Sequence, residues 1–167
     1  NKSNKAIKYR LYPNDEQKVM FAKTFGCCRF VYNQLLALQK QRYKDGESHL
    51  SKLKSNEFAT RTLKKDYDFL KEIDKFAVSN AVFHLADAYD RFFKKQNHFP
   101  KFKSKRKSKK SYTTNFTNNN ILIGKNVIKL PKVGMVKAVI HKLPNDDWKL
   151  KSVTVSQDSV GNYFASV

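Results

Sequence analysis

Acidic residues are missing from one long part of this 167-residue chain. No Asp or Glu occurs between Arg91 and Asn145, whereas fifteen Lys and Arg residues do. Nine of those fifteen fall between Lys94 and Lys110, interleaved with Phe99 and Phe102. A carboxylate beside a phosphate backbone repels it, while each Lys or Arg displaces a counterion. The missing negative charge therefore favours a nucleic-acid partner.

Cysteine and long apolar runs are also scarce. The only two cysteines are the adjacent Cys27 and Cys28, a spacing that strains a disulfide. Without a second cysteine pair they do not predict a structural zinc site. No run approaches about 20 apolar residues, and no apolar segment follows the basic first eight residues, so neither a membrane span nor a signal peptide is predicted. We expect a reduced, cytoplasmic protein with no membrane partner.

Catalytic signatures are absent as well. The chain has no Walker loop, no G-x-S-x-G and no Cys/His pair at catalytic spacing, and its four His residues are scattered. One group of carboxylates is close enough in sequence to hold a metal: Asp66, Asp68, Glu72 and Asp74. Lysines lie between and beside them, which favours a solvated surface instead. We therefore predict no catalytic residue, metal site or cofactor in this chain.

The overall composition is that of a basic globular protein. There are 34 Lys and Arg against 14 Asp and Glu, giving a formal net charge of +20 and a pI near 10.0. The self-repulsion of such a chain indicates a polyanionic partner. A hydrophobic fraction of 40% with thirteen Phe residues still supplies a packed core. The length fits one domain, or two small ones.

Alternation of apolar and polar residues predicts short strands at both ends of the chain. Ile7, Tyr9 and Leu11 alternate with Lys8 and Arg10 over the first strand. Six further strands are expected, separated by Gly, Pro and Asn, at 112–116, 121–123, 127–130, 135–140, 150–156 and 163–167. Short strands at this spacing favour a β-barrel or sandwich. The first strand has no nearby partner, so we expect it to join the later ones, with the helices inserted between.

Helical periodicity fills the region between the first and second strands. Asn14 and Gln17 form a capping pair for a helix from Asp15 to about Phe25, which Gly26 is expected to end. A second helix is expected to run from Cys27 to about Asp45.

Two further helices follow in the prediction. After a polar loop at 48–54, Ser55 is expected to cap the third. Asp74 caps the fourth and clearest, which runs from Lys75 to about Lys95 with one apolar stripe.

Three segments combine basic, aromatic and amide side chains, and each has a plain structural alternative. The basic connector can be a solubilising loop, although Phe99 and Phe102 within it suit base stacking. Residues 113–120 offer amides and hydroxyls for base edges, or simply a hairpin turn. Lys75 and Phe76 begin a helix, where phosphate is favoured, or else Phe76 staples that helix to its neighbours.

Several blocks of this sequence resemble the amino-terminal part of TnpB, the OrfB proteins of bacterial insertion sequences. The matching blocks are YRLYP at 9–13, FGCCRFVYN at 25–33, DKF at 74–76, FPKFK at 99–103, SYTTNF at 111–116, KLPKVG at 129–134 and VTV at 153–155. They occur in the family's order across nearly the whole chain. Each block is weak alone, but together they are specific.

The resemblance implies an α+β fold in which a wedge-type, OB-like β-barrel is interrupted by a helical recognition domain. The expected parts are 1–13 (first barrel strand), 14–96 (recognition domain) and 97–167 (basic connector and rest of the barrel). TnpB proteins are RNA-guided DNA endonucleases related to type V CRISPR effectors, so a guide RNA and double-stranded DNA are the expected partners. The family's nuclease carboxylates and zinc ribbon, and hence Mg²⁺ and Zn²⁺, belong to a carboxy-terminal half that has no counterpart here. A bacterial, nucleoid-associated location is implied.

The resemblance also assigns roles to single positions. Side chains expected to read the DNA motif are Lys75, Phe76, Ser79, Thr117 and Asn118. Ser79 is a short hydroxyl where other members have a longer amide, so the motif can differ. Basic residues expected on the nucleic-acid backbone are Lys101, Lys103, Lys105, Arg106, Lys107, Lys109 and Lys110. Expected RNA contacts are Lys8, Arg10, Arg29 and Tyr112.

Two other functions remain open on the sequence. One is a stand-alone DNA-binding repressor or transposition accessory protein, and the other is a general RNA-binding scaffold protein. The last residues, 163–167, alternate as a strand and stop without a turn, so we expect the chain to be a piece of a longer protein. Carboxylates and a zinc ribbon encoded downstream would favour the nuclease.

Overall fold

The computed structural model describes residues 6–144 and 148–167 of an α+β protein. It divides into two compact units, Asn1–Lys23 with Lys109–Val167 (the sheet unit) and Thr24–Ser108 (the helical unit). The helical elements are α1 (Asp15–Lys44), α2 (Lys52–Glu57), a π-helical segment (Phe58–Leu63), α3 (Lys64–Asp66), a 3₁₀ segment (Asp68–Glu72) and α4 (Lys75–Phe93). The strands are β1 (Lys8–Tyr12), β2 (Lys110–Asn115), β3 (Leu122–Ile123), β4 (Val127–Leu130), β5 (Gly134–Val139), β6 (Ser152–Gln157) and β7 (Tyr163–Ser166).

The seven strands form one antiparallel sheet in the order β2-β6-β7-β1-β5-β4-β3. β1 lies between β7 and β5, with Tyr9 opposite Ala165 and Leu11 opposite Ala138. The prediction that the first strand joins the late ones is therefore confirmed. Across the described residues no hydrogen-bonded ladder joins β2 to β3, so the sheet is open where a closed barrel was expected. The two residues of β3 pair with β4 alone.

One face of the sheet forms the core of its unit because apolar residues alternate along each strand. These residues are at most 2% exposed: Tyr9, Leu11, Tyr112, Ile128, Leu130, Val136, Val153, Val155 and Ala165. Phe21, from the first turns of α1, is fully buried, and its ring centroid lies 5.5 Å from that of Tyr163. This packing leaves the other face of the sheet, described below, free for polar side chains.

Helix α1 is continuous through Gly26, so the predicted break there is wrong. A glycine inside a helix costs about 1 kcal/mol relative to alanine. Phe25, Cys27 and Cys28 beside it are all buried. Burial of one apolar side chain contributes about 1.5–3 kcal/mol, so this packing outweighs the local cost. The capping pair at the start of α1 is confirmed, since Asn14 Oδ1 accepts from Gln17 N at 2.8 Å and Gln17 Oε1 from Asn14 N at 2.9 Å.

Helix α2 begins one turn earlier than expected. Its cap is Ser51, whose Oγ accepts from Lys54 N at 3.1 Å, and not the predicted Ser55. Ser55 lies inside the helix, is buried, and donates its backbone N–H to Ser51 O at 2.8 Å. The predicted loop at 48–54 is correspondingly shorter. Both serines can cap a helix, and the burial of Ser55 decides between them.

Helix α4 matches its prediction closely. Asp74 caps it, since its Oδ1 accepts from Phe76 N at 3.0 Å. The buried stripe comprises Ala77, Val78, Ala81, Val82, Leu85 and Tyr89. The helix ends at Phe93, and Lys95 adopts a left-handed conformation with φ of 59°. Within residues 6–144 and 148–167, no helix has the length and apolar character required to cross a bilayer.

Candidate nucleic-acid interface

The outer face of the sheet carries a row of alternating cations and aromatic rings. Arg10 Cζ lies 4.7 Å from the centroid of Tyr12 and 5.7 Å from that of Phe164. Lys8 Nζ lies 4.4 Å from the Phe164 centroid. The register places Arg10 directly opposite Phe164, which explains the contact between β1 and β7. These cation–ring contacts hold Lys8 and Arg10 in place on the outer face.

Arg10 is held in a fixed orientation. Its Nη2 donates to Asn162 Oδ1 at 2.8 Å. Its Nε is buried and has no hydrogen-bond partner among the described residues. An unpaired buried donor costs about 1–3 kcal/mol. Because Nε is enclosed, an incoming phosphate oxygen or base edge would bond the terminal amino groups of the guanidinium instead of Nε.

Hydroxyl groups continue the outer face across β6 and β2. Thr113 and Thr154 lie opposite each other, with their Oγ1 atoms 2.8 Å apart. Ser166 of β7 lies on the same face, opposite Thr154. None of the seven strands contains an Asp or Glu. The face therefore presents cations, rings and hydroxyls with no carboxylate to repel a phosphate backbone.

The β2–β3 connection is a tight turn that presents amide side chains. Asn118 and Asn119 have φ of 50° and 57°, and Asn120 N donates to Thr117 O at 3.1 Å. These values define a type I′ turn, for which Asn is well suited. Asn120 braces it, since its Oδ1 accepts from Thr117 N at 2.8 Å and its Nδ2 donates to Asn115 O at 2.9 Å. The predicted turn is confirmed, although it is not a hairpin because β2 and β3 on either side of it do not pair. It leaves Thr117 and Asn118 exposed at the tip.

The start of α4 groups the other three predicted motif-reading residues. Ser79 lies three residues after Phe76 and four after Lys75, so it neighbours both of them on the surface of the helix. Lys75 Nζ lies 5.4 Å from the Phe76 centroid and is exposed. Burial lowers the pKa of Lys64, the charge of Lys75 lowers it further, and the charge of Asp74 raises it. The helix N-terminus adds positive potential here, and the Asp74 carboxylate that caps it opposes that potential.

A second basic feature is the turn at residues 104–108, here called the basic turn. Ser108 N donates to Ser104 O at 3.0 Å, and Ser108 Oγ accepts from Ser104 N at 2.9 Å. Ser104 Oγ also accepts from Lys107 N at 3.1 Å. These bonds fix the backbone while Lys105, Arg106 and Lys107 all remain exposed. Three adjacent cations are therefore presented by an ordered turn.

Lys103 behaves differently from its neighbours. Its backbone is clamped to α1, since Lys103 N donates to Asn33 Oδ1 at 2.8 Å and Lys103 O accepts from Asn33 Nδ2 at 2.9 Å. Its Nζ lies 4.2 Å from the Tyr32 centroid, and desolvation by burial lowers its pKa. Its ammonium therefore packs within the helical unit, while Lys101 of the same unit is exposed. Lys109 and Lys110, at the start of β2 in the sheet unit, are exposed too.

Two expected RNA contacts are less exposed than the sequence suggests. Tyr112 is 2% exposed, and its ring centroid lies 6.3 Å from that of Phe21, so the ring supports the sheet from the core. Arg29 is half-buried on α1, and its guanidinium lies over Gly26. The sequence analysis did not single out Phe164 or Asn162. Only the pairing of β1 with β7 brings these two residues to Arg10.

The carboxylates considered as a metal site do not form one. No three His, Cys, Asp or Glu residues in the described ranges are grouped so as to hold an ion. Asp68 instead pairs with Lys71 at 3.2 Å on the surface. Cys28 is buried, its Sγ lies 3.4 Å from Ala77 O as a donor, and burial raises the pKa of its thiol to about 12. A thiol held in its neutral form is a poor metal ligand and nucleophile.

Residues 3–48 match the family model of a helix-turn-helix domain found in OrfB proteins of the IS605 type. In this structure that range holds β1 and all of α1, which is one unbroken helix. The described part of the range thus provides no separate second helix of the kind that enters a major groove in helix-turn-helix proteins. A DNA contact from the described part of this segment would therefore use side chains of β1 or α1 and not a recognition helix.

Three named proteins are similar to this chain. A protein of Streptomyces pristinaespiralis named as a candidate RNA-guided DNA endonuclease is 30% identical over 165 residues, covering 98% of this chain and 40% of that protein. The Escherichia coli K12 protein named as a candidate RNA-guided DNA endonuclease InsQ is 30% identical over 169 residues, covering 97% and 39%. Virulence protein VsdF of Salmonella dublin is 32% identical over 111 residues, covering 60% of this chain and 93% of that protein.

The match to the two endonuclease-named proteins extends over nearly the whole chain, which spans about 40% of their length. The family model covers its first part. The chain belongs to the TnpB (OrfB) family of bacterial insertion-sequence proteins.

Proposed function

We propose that this chain is the nucleic-acid-binding part of an RNA-guided DNA endonuclease. It binds a guide RNA and reads a short motif on duplex DNA beside the target, while base pairing with the guide reads the target itself. The observation that carries the proposal is the exclusion of carboxylates from all seven strands and from residues 91–145, where exposed cations are concentrated. The printed names of two relatives support the same function.

In this proposal the sheet unit is the wedge domain and the helical unit is the recognition domain. The two edge strands of the open sheet, β2 and β3, approach each other when guide RNA binds and so close the sheet into an OB-like barrel. Lys8 and Arg10 on the outer face, with Arg29 on α1, contact the guide RNA. The exposed basic residues between Lys101 and Lys110 contact the nucleic-acid backbone. We place the protein in the bacterial cytoplasm, at the nucleoid.

Five side chains read the motif in this scheme. Lys75 can donate to the O6 and N7 acceptors of guanine, and the Asn118 amide can donate to adenine N7 while accepting from adenine N6. Ser79 and Thr117 offer single hydroxyls, and Phe76 packs against sugars or thymine methyl groups. Strand cleavage, with its Mg²⁺ and Zn²⁺, belongs to the part of the parent protein that lies outside this chain. The exposed basic residues between Lys101 and Lys110 supply the positive charge that holds the DNA in place.

The turn at Asn118 offers a sharp test. Glycine adopts positive φ readily, so Asn118→Gly and Asn119→Gly both preserve the type I′ turn while each removes one amide. The intact parent protein, purified with its bound RNA, is assayed against guide-matched duplexes whose adjacent positions are randomised. We expect Asn118→Gly and Lys75→Ala each to reduce motif discrimination by about 1–3 kcal/mol. Asn119→Gly is the matched control and is expected to leave it unchanged.

Two results would count against the proposal. Equal binding of all adjacent sequences by the wild-type protein would remove motif reading altogether. Equal losses for Asn118→Gly and Asn119→Gly would show that the amide of Asn118 has no special role.

A second candidate is a stand-alone DNA-binding accessory protein. It is favoured by one observation, the Salmonella relative, which is matched over 93% of its own length by part of this chain. Such a protein would bind duplex DNA with the same selectivity whether or not guide RNA is present. Digesting the bound RNA before the duplex-binding assay separates the two functions, because the guided protein would then lose target selection.

A further inference from the structure

The helical unit contains an open groove that the proposed motif-reading residues do not touch. It has a volume of about 520 Å³ and is lined by Lys40, His98, Phe99, Pro100, Lys101 and Phe102. Every ionisable group in this lining is basic. The groove therefore combines apolar rings with positive charge, which is the combination that binds unpaired nucleotides.

The two phenylalanines of the groove have different roles. Phe99 packs edge-on against Tyr89 and Phe92, with centroid distances of 5.5 and 5.1 Å, and so anchors the segment to α4. Phe102 is 51% exposed, and within the described ranges no aromatic ring packs against it. Packing against α4 therefore explains the aromatic ring of Phe99, but no packing in the core explains the ring of Phe102.

A cation is already positioned on the exposed ring. Lys40 Nζ lies 4.6 Å from the Phe102 centroid and 5.6 Å from that of Phe99. Lys101, next to Phe102 in sequence, is exposed as well. A base stacked on the ring would carry its phosphates past these ammonium groups, which are the partners that phosphates attract.

Phe102 is mounted rigidly despite its exposure. The next residue, Lys103, is held by both hydrogen bonds to Asn33, and the basic turn begins one residue later. Lys105 is three residues from Phe102, so it lies within about 10 Å of it along the chain. The backbone that carries the ring is thus held between this clamp and the basic turn, so ordering this segment on binding costs less entropy than ordering a free loop.

We propose that Phe102 is a stacking platform for one unpaired base of an RNA, whose flanking phosphates contact Lys40, Lys101 and the basic turn. This inference rests on the proposed function and adds a binding subsite to it. We assign RNA as the occupant because its loops and bulges expose unstacked bases before any DNA is bound. DNA offers unpaired bases only after the guide has opened the duplex. The clustering of cations around the ring is the complementary charge that such a strand requires.

The test uses the 167-residue chain and short single-stranded RNAs that contain 2-aminopurine, whose fluorescence reports stacking. Phe102→Leu removes the ring but keeps apolar volume, and Phe102→Trp keeps a stacking surface. Phe93→Leu is the matched control, because Phe93 is 57% exposed and does not line this groove. We expect Phe102→Leu to weaken RNA binding roughly tenfold and to remove the quenching, while Phe102→Trp and Phe93→Leu retain both. Circular dichroism verifies the fold of each variant, and Lys40→Met provides a second variant that is expected to weaken RNA binding.

Unchanged RNA affinity for both Phe102→Leu and Lys40→Met would overturn the inference while leaving the proposed function intact. Equal weakening by Phe93→Leu would overturn it too. Tighter binding of single-stranded DNA than of RNA would refute the choice of RNA as occupant. Binding of a double-stranded target with the adjacent motif is measured in parallel on the RNA-loaded parent protein. If only this second measurement fails, the proposed function is wrong and the stacking role of Phe102 still stands.

Discussion

Replacing Lys105, Arg106 and Lys107 together by glutamine isolates the contribution of the basic turn. The serine hydrogen bonds of that turn involve backbone atoms and the side chains of Ser104 and Ser108, so the substitutions leave them in place. All three side chains are exposed, which makes a loss of folding stability small. The perturbation therefore removes three positive charges and little else.

The expected effect follows from counterion release. Each phosphate neutralised on a duplex contributes about 0.9 to the slope of log affinity against log salt, so three contacts contribute about 2.7. Between 50 and 200 mM salt, the advantage of the wild type over the variant should then shrink by about 40-fold. Contact by only one of the three residues would give a change of about threefold to fourfold.

Fluorescence anisotropy with a labelled duplex, measured at several salt concentrations, gives the two slopes directly. A control in which Lys18, Lys44 and Lys65 become glutamine loses the same net charge from exposed positions on α1 and α3. We expect the control to keep nearly the wild-type slope. Identical slopes for the wild type and the basic-turn variant would refute the placement of this turn on the backbone, and identical losses in both variants would show that only net charge matters.

Two further predictions concern the helical unit. Asn33→Ala should lower its free energy of unfolding by about 2 kcal/mol, because both hydrogen bonds to Lys103 are lost, and an unchanged urea midpoint would contradict this. Burial raises the pKa of the Cys28 thiol from its ordinary value of 9.0 to about 12, so the folded state retains a proton that the unfolded chain releases. The resulting stability is complete below pH 9 and declines as the pH rises toward 12. Cys28→Ala should show a shallower decline over that range in pH-dependent urea unfolding, and equal slopes would contradict the assignment.

Local patterns predicted the elements well where a short-range interaction determines them. Short apolar or alternating runs bounded by turn residues identified all seven strands. The side-chain caps at Asn14 and Asp74 were found because their partners lie within three residues. Gly26 misled the prediction because its cost is local while the compensating burial is tertiary. The cap of α2 was predicted at Ser55 and not at Ser51 because both serines suit a helix cap by sequence. Only the burial of Ser55 in the folded protein distinguishes them.

The candidate interface was predictable in composition but not in arrangement. The cation-rich segment and the amide-rich turn at Asn118 are visible in the sequence, since each is contiguous. The row formed by Lys8, Arg10 and Phe164 is not visible, because it depends on the register between strands more than 150 residues apart. Lys103 was grouped with the exposed cations, and only the packing of its ammonium over Tyr32 separates it from them.

The position of β1 has a consequence for biosynthesis. This strand leaves the ribosome before the helical unit, whereas its neighbours β5 and β7 leave only after that unit has been synthesised. Residues 24–108 are contiguous and rich in local helical contacts, so they can fold while synthesis continues. The nascent chain must meanwhile keep β1 unpaired, and a strand that carries the charges of Lys8 and Arg10 is less prone to aggregate during that interval than an uncharged one.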